Sequence, residues 1–355
     1  MSDCNQFNIF NKVSELSKYE IVAITGNEPL LFPSLKNSFL RKVLKIPQLI
    51  ICHAELGRAI LKNKNMGAII IHGFSTEFLI FTYIYSLFWT KNVWILTHHN
   101  IQQAFQNSVI KSMFKIYHFL GYRFVVNEAS SMLKNIGFSE KESSQHISLL
   151  MPVVRADKAK LNIASEAIEQ LDCLNLQKKK IGLVGKMRQG KQFGKTLDFL
   201  LKLQEKLDFL LVIGTDDFSY FGSINSENIK LLDTSTRDNY FSVLELCDIV
   251  VLNYEESKYR YRCSGVAADA IGVRTYVVCP NFPMMSRQLN YPERVGILYN
   301  NESDLEMAIQ QALELVPATQ NAAFESHYRE RSIESLALAL DREIQTRIFS
   351  NKANE

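Results

Sequence analysis

Six cysteines (Cys4, Cys52, Cys173, Cys247, Cys263 and Cys279) are scattered through 355 residues without a CxxC pair. That scatter excludes a zinc knuckle and a disulfide framework, and it fits the reduced thiols of a cytosolic protein. The seven histidines contain no HExxH and no other helical ligand spacing, so no bound metal is expected. No GxGxxG opens a strand, which sets aside a dinucleotide-dependent oxidoreductase. The longest apolar run, 78–89, ends between Glu77 and Lys91, well short of the roughly 20 residues that span a bilayer. The first ten residues are acidic and polar and lack the basic start and apolar stretch of a signal peptide, so a cytoplasmic location is expected. Internal repeats and low-complexity tracts are absent too.

What is present is the composition of a globular protein, 47% apolar and 22% charged. A chain of 355 residues is long for one domain and comfortable for two. The net charge of +3 is unevenly spread: residues 1–150 hold 15 Lys and Arg against 9 Asp and Glu, the remainder 25 against 28. The halves are thus +6 and −3. A basic first half suits an anionic partner, a phospholipid surface or a phosphate-bearing acceptor, and reads equally as a solvated basic face.

Short β-branched apolar runs recur at 20–25, 48–53, 68–72, 92–97, 123–127 and 147–150. Segments of helical length and period, such as 76–88 and 109–120, lie between them. After Met151 and Pro152 a polar stretch intervenes, and a second series follows at 181–184, 209–213, 229–232, 248–252 and 275–279, with helices around 194–207 and 238–247. Two helical patterns, 303–315 and about 322–349, close the chain. The expected organisation is an N-terminal Rossmann-like domain over 1–155, a linker over 156–179, a C-terminal Rossmann-like domain over 180–330 and a C-terminal helix over 331–355. Two parallel sheets facing each other would leave a cleft at the carboxyl ends of their strands, where ligands bind.

The most informative stretch runs from Ile181 through Gly185, Arg188 and Gly190 to Lys191: a strand, a glycine-containing basic loop, then a helix. Glycines let backbone amides approach an anion, the helix start adds a favourable dipole, and Arg188 and Lys191 neutralise phosphate oxygens. Residues 185–191 also fit GxxxxGK, but Gln192 stands where a P-loop needs a magnesium-binding Ser or Thr. The alternative register at Gly194, Lys195 and Thr196 puts Gln189 where the first glycine belongs. An ordinary basic turn is the plain alternative.

In a second segment, Ser264 and Gly265 open a helix of small residues that carries Asp269 and Ala270. Ser264 is placed to cap it, and Asp269 to accept hydrogen bonds from ribose hydroxyls or simply to face solvent.

Together the two segments resemble the donor-binding signatures of GT-B glycosyltransferases of the family 4 (group 1) type. The G-x-x-R-x-x-K loop of that family, which meets the donor diphosphate, maps onto Gly185, Arg188 and Lys191. Its S-G-x-x-x-E-A helix, whose acid binds the ribose, maps onto Ser264, Gly265, Asp269 and Ala270. Aspartate replaces the family's glutamate, and the partner glutamate eight residues earlier falls on Tyr261, with Glu255 and Glu256 nearby as substitutes. The resemblance implies an α/β fold of two Rossmann-like domains facing across a cleft (GT-B), with the C-terminal helix returning to the N-terminal domain.

It also implies transfer of a sugar from a nucleoside-diphosphate sugar to a hydroxyl of a glycan or lipid-linked acceptor, in surface polysaccharide synthesis. The donor, a UDP- or GDP-sugar, is then a substrate; no cofactor, metal or nucleic acid is expected. Catalytic roles fall to Arg188, Lys191 and His99. The last ends a strand in 96–100, similar to the family's T-x-H-N, and has a near-neutral pKa suited to a base. His72 has the same setting, and Gly26, Asn27 and Glu28 occupy the place of the family's N-terminal glycine loop.

Residues 34–44 place Leu35, Phe39 and Val43 at i, i+4 and i+8 among Lys36, Arg41, Lys42 and Lys45, which reads as core or as a basic helix resting on an anionic membrane. A nucleotide-sugar epimerase-like enzyme of the same fold and a non-catalytic partner subunit are the competing readings.

Overall fold

The computed structural model describes residues 15, 21–25, 68–72, 93–97, 100–155, 178–188, 190–221, 226–315 and 320–352. The expected strand at 48–53, the helices at 34–44 and 76–88, and His98, His99 and the segment 26–28 lie outside them.

Residues up to Leu150 and those from Ile333 form one compact unit, and Met151–Ser332 forms a second. In the first, strands β1 (Ile21–Thr25), β2 (Ala68–His72), β3 (Val93–Thr97), β4 (Arg123–Asn127) and β5 (Ile147–Leu149) pair in parallel in that order. Parallel neighbours need crossover connections. Between β3 and β4 the crossover is α1 (Asn100–Gln106) followed by α2 (Ser108–Phe119). The Asn107 side chain caps α2 by accepting from the amides of Val109 and Ile110, and Ile110, Phe114 and Tyr117 form its buried face. A 3₁₀ turn (Ser130–Ile136) and α3 (Glu140–Ser144), started by a capping box of Ser139 and Glu142, lead into β5.

The second unit carries β6 (Lys179–Val184), β7 (Phe209–Thr215), β8 (Ile229–Asp233), β9 (Ile249–Val251), β10 (Tyr276–Pro280) and β11 (Gly296–Tyr299) in the spatial order β11-β10-β9-β6-β7-β8, all parallel. Its strands are buried on both faces and therefore read as unbroken apolar runs, as in Phe209–Ile213 and Val277–Cys279. The helices are α4 (Phe193–Leu203), α5 (Arg237–Leu246), α6 (Glu256–Tyr259), α7 (Gly265–Gly272), α8 (Pro283–Asn290), α9 (Leu305–Leu315) and α10 (Gln320–Glu330). From β6 the chain proceeds to one side through β7 and β8, then returns to β9 on the other. The β6–β9 boundary is thus a topological switch point, where loops leave the carboxyl ends of neighbouring strands in opposite directions and open a crevice.

The pattern over 322–349 reads as one helix, but the structure divides it into α10 and α11 (Ile333–Lys352). No proline or glycine marks the break at Arg331 and Ser332. Its cause is tertiary: the fully buried Arg331 guanidinium donates to the carbonyls of Met151, Arg287 and Tyr291 at 3.2, 3.3 and 2.7 Å. Beyond the break, Leu336, Ala337, Leu340 and Ile344 of α11 share a core with Trp94, Leu96, Val125, Ile147 and Leu149. Among the described residues no helix is long and apolar enough to cross a membrane.

Candidate functional site

At the switch point, β6 ends on Gly185, whose φ of +118° belongs to backbone that residues with a Cβ rarely adopt. A Cβ there would lie 3.3 Å from Val266 Cγ2 and 3.4 Å from Lys191 Nζ. The glycine, the lysine six residues on and the first turn of α7 therefore converge on one point. The loop between Gly185 and α4 is tightly wound: Gly190 has φ +89°, Gln192 has φ +45°, and the Lys191 amide donates to the Arg188 carbonyl at 3.1 Å. The Gly190 carbonyl accepts from the amide of Glu255, which ties this loop to the one leaving β9.

Lys191 points inward. Burial, then the neighbouring positive charges of Arg188 and Arg262, push its pKa down from 10.5 to about 8, and Asp269 opposes them. Arg188 itself is exposed at the loop's edge. Arg262 lies over the Tyr259 ring at 5.3 Å, and that ring stacks on Tyr254 at 4.2 Å. Three cations thus gather around a single acid, an arrangement that an anion would relieve.

Helix α7 is held at its start from two sides. Ser264 Oγ accepts from the Ala267 amide at 3.1 Å and lies 2.9 Å from the Tyr254 hydroxyl, so this serine acts as a cap. The buried Gln288 side chain of α8 accepts from the Ser264 amide at 3.0 Å and donates to its carbonyl at 2.8 Å. At Gly265 a Cβ would meet no described atom within 4 Å, so the first residue of α7 fronts open space. Asp269, on the second turn, accepts from the Tyr240 hydroxyl at 3.1 Å. Burial raises its pKa to about 6, against the pull of that hydrogen bond and of Arg237 and Lys191.

The structure brings together Gly185, Lys191, Ser264, Gly265 and Asp269, with Arg188 at the rim. Tyr261 is buried beside Arg260, and the nearby Glu255 and Glu256 carboxylates accept from Ser257 and Arg260. Sequence reasoning passed over Tyr240, Arg262 and Gln288. They come from other elements, and only the parallel-sheet topology delivers them here.

A titration prediction follows. A bound diphosphate favours the ammonium form of Lys191, so affinity is expected to fall as pH rises above about 8, by at most about tenfold per pH unit. Below about 6, protonation of Asp269 is expected to weaken ligands that carry ribose hydroxyls and to spare inorganic pyrophosphate. Calorimetric titration of both ligands between pH 5 and 10 checks this, and a flat profile above 8 removes Lys191 from the anion site.

No protein-family model and no curated protein matches the chain. Solved structures do. A glycosyltransferase from Rickettsia africae is 14% identical and aligns over 94% of both chains with a TM-score of 0.57. The Anabaena protein HepE, solved with UDP and glucose, is 12% identical over 96% of this chain and 95% of its own, at 0.59. A sucrose-phosphate synthase from Thermosynechococcus elongatus is 12% identical over 91% and 82%, at 0.60. At such identities the likeness shows a shared fold: the α/β architecture of two parallel-sheet units seen in GT-B glycosyltransferases.

Proposed function

We propose that the chain is a glycosyltransferase, a hexosyltransferase of the family 4 (group 1) type. In this reading it acts in the cytoplasm, moving a sugar from a UDP- or GDP-sugar to a hydroxyl of a glycan or lipid-linked acceptor in surface polysaccharide synthesis. The observation that carries this reading is Lys191. Its ammonium is buried against Gly185 among like charges, beside the first turn of a helix that fronts open space. A diphosphate supplies the negative charge this cluster lacks. HepE, of the same fold, was solved with UDP and glucose.

In the reaction the bond from the anomeric carbon to the diphosphate oxygen breaks as one forms to the acceptor oxygen, and the acceptor's proton must leave. Negative charge grows on the departing diphosphate. Lys191 and Arg188, with the start of α7, are positioned to stabilise it, a preorganised electrostatic contribution of several kcal/mol, on the order of those measured for oxyanion donors. Asp269, held by Tyr240, accepts from the ribose hydroxyls. His99 is the residue assigned to the proton if the configuration inverts; if it is retained, the leaving phosphate takes that part. The residues use no cofactor in this scheme.

The deciding experiment is a thermal-shift screen against UDP, GDP, ADP, their sugar conjugates, NAD and ATP with magnesium. Ligand at about 100 times its Kd stabilises by about 2.7 kcal/mol. A response confined to one nucleoside diphosphate family and its sugars supports the transferase and names its donor. Response to none of them favours a non-catalytic relative, a reading that Tyr261 in place of a glutamate keeps in view. Asp269→Asn is expected to weaken the nucleoside diphosphate about tenfold through one lost charged hydrogen bond. An unchanged Kd would leave α7 a purely structural helix.

A further inference from the structure

Helix α2 carries an apolar surface that the proposed chemistry does not use. Val109 is 65% exposed, Ile116 44% and Phe119 87%, with Phe105 of the adjoining α1 at 48%. Val109, Met113, Ile116 and Leu120 follow at i, i+4, i+7 and i+11, which aligns them along one side of the helix, with Met113 and Leu120 half-buried at its margin. This stripe stands beside, not within, the helix's packed face of Ile110, Phe114 and Tyr117. Exposing phenylalanine to this degree is costly in water, and four exposed apolar side chains on one helical hairpin mark an interaction surface.

The charge around the stripe says what it meets. From residue 78 through 127 the sequence contains no Asp or Glu, while Lys91, Lys111, Lys115 and Arg123 fall within it. On α2 itself Lys111 is exposed, and Lys115 lies over the Phe138 ring while pairing with Glu142 at 3.0 Å. The acids of neighbouring α3 are already matched, Glu142 by Lys115 and Glu140 by Lys134. A second copy of this surface would bring like charges together across a twofold contact. An anionic lipid layer offers what the stripe needs, hydrocarbon for the phenylalanines and headgroup charge for the lysines.

We infer that the α1–α2 hairpin is a membrane-docking surface. Through it the protein lies on an anionic bilayer, with Phe119, Ile116, Val109 and Phe105 at the acyl boundary. This places the contact at residues 105–120 and not at the basic segment 34–44.

Co-sedimentation of the full chain with phosphatidylcholine vesicles, with and without phosphatidylglycerol, tests it. The chain is expected to partition onto vesicles containing phosphatidylglycerol, less so as salt rises. The triple variant V109S/I116S/F119S is expected to lose at least about tenfold in partitioning while keeping its thermal midpoint, since these side chains are solvent-exposed. Phe119→Ser alone is expected to show a smaller loss of the same sign, and it serves should the triple variant fold poorly. Failure of the wild-type chain to partition would overturn the assignment. So would variants that bind like wild type, or a concentration-dependent dimer that the triple variant abolishes.

Discussion

Lys191→Ala and Arg188→Ala are each expected to lower kcat for sugar transfer by about 10²- to 10³-fold, the loss seen when one preorganised donor to a developing negative charge is removed. What separates the two is stability. The folded protein binds the Lys191 proton less tightly than the unfolded chain, since its pKa is near 8 in place of 10.5. Stability therefore rises with pH through that window, and at neutral pH the buried ammonium works against the fold. Removing it is expected to leave the thermal midpoint unchanged or raise it, even as activity collapses. Arg188→Ala, at an exposed site, is expected to leave the midpoint where it is. Steady-state kinetics beside a thermal melt reads both quantities. Full activity in both variants would remove the diphosphate assignment, and a large drop in midpoint for Lys191→Ala would make that lysine structural.

The largest stability effect belongs to a residue remote in sequence from every motif. Arg331→Ala is expected to destabilise the second unit by about 3 to 5 kcal/mol, combining unpaired buried carbonyls with the cavity left by a large side chain. Its guanidinium reaches carbonyls on three separate segments, at Met151, Arg287 and Tyr291. Arg331→Lys is not expected to rescue, because one ammonium cannot span positions that a planar fork holds together. Urea unfolding followed by circular dichroism reads the loss, and a change under about 1 kcal/mol would show that the carbonyls find other donors.

The contrast between these two residues shows what the sequence made legible. Gly185, Arg188 and Lys191 stand at fixed spacing just after an apolar strand, and anion binding needs those residue types in that order. Strands of the second unit were readable because sheets covered on both faces leave continuous apolar runs. β11 is only four residues long, and α8 mixes Met284 and Leu289 with Ser286, Arg287 and Gln288, so neither produced a clear period. The break at Arg331 and the gathering of Tyr240, Arg262 and Gln288 at the site escaped for a different reason. Each depends on contacts between segments far apart in sequence, and no local pattern encodes them. The resemblance pointed to glutamates that this chain lacks, whereas the structure shows Asp269 held by a tyrosine from a neighbouring helix.

The core shared by β3, β4, β5 and α11 has a consequence for synthesis. The first sheet leaves the ribosome early, but Leu336, Leu340 and Ile344, which cover part of it, are translated only after the whole second unit. Until then Trp94, Leu96 and Leu149 lack their covering side chains, and the nascent chain carries an unfinished apolar face through most of its translation. A folding helper bound near that face during elongation would be displaced by the chain's own last helix.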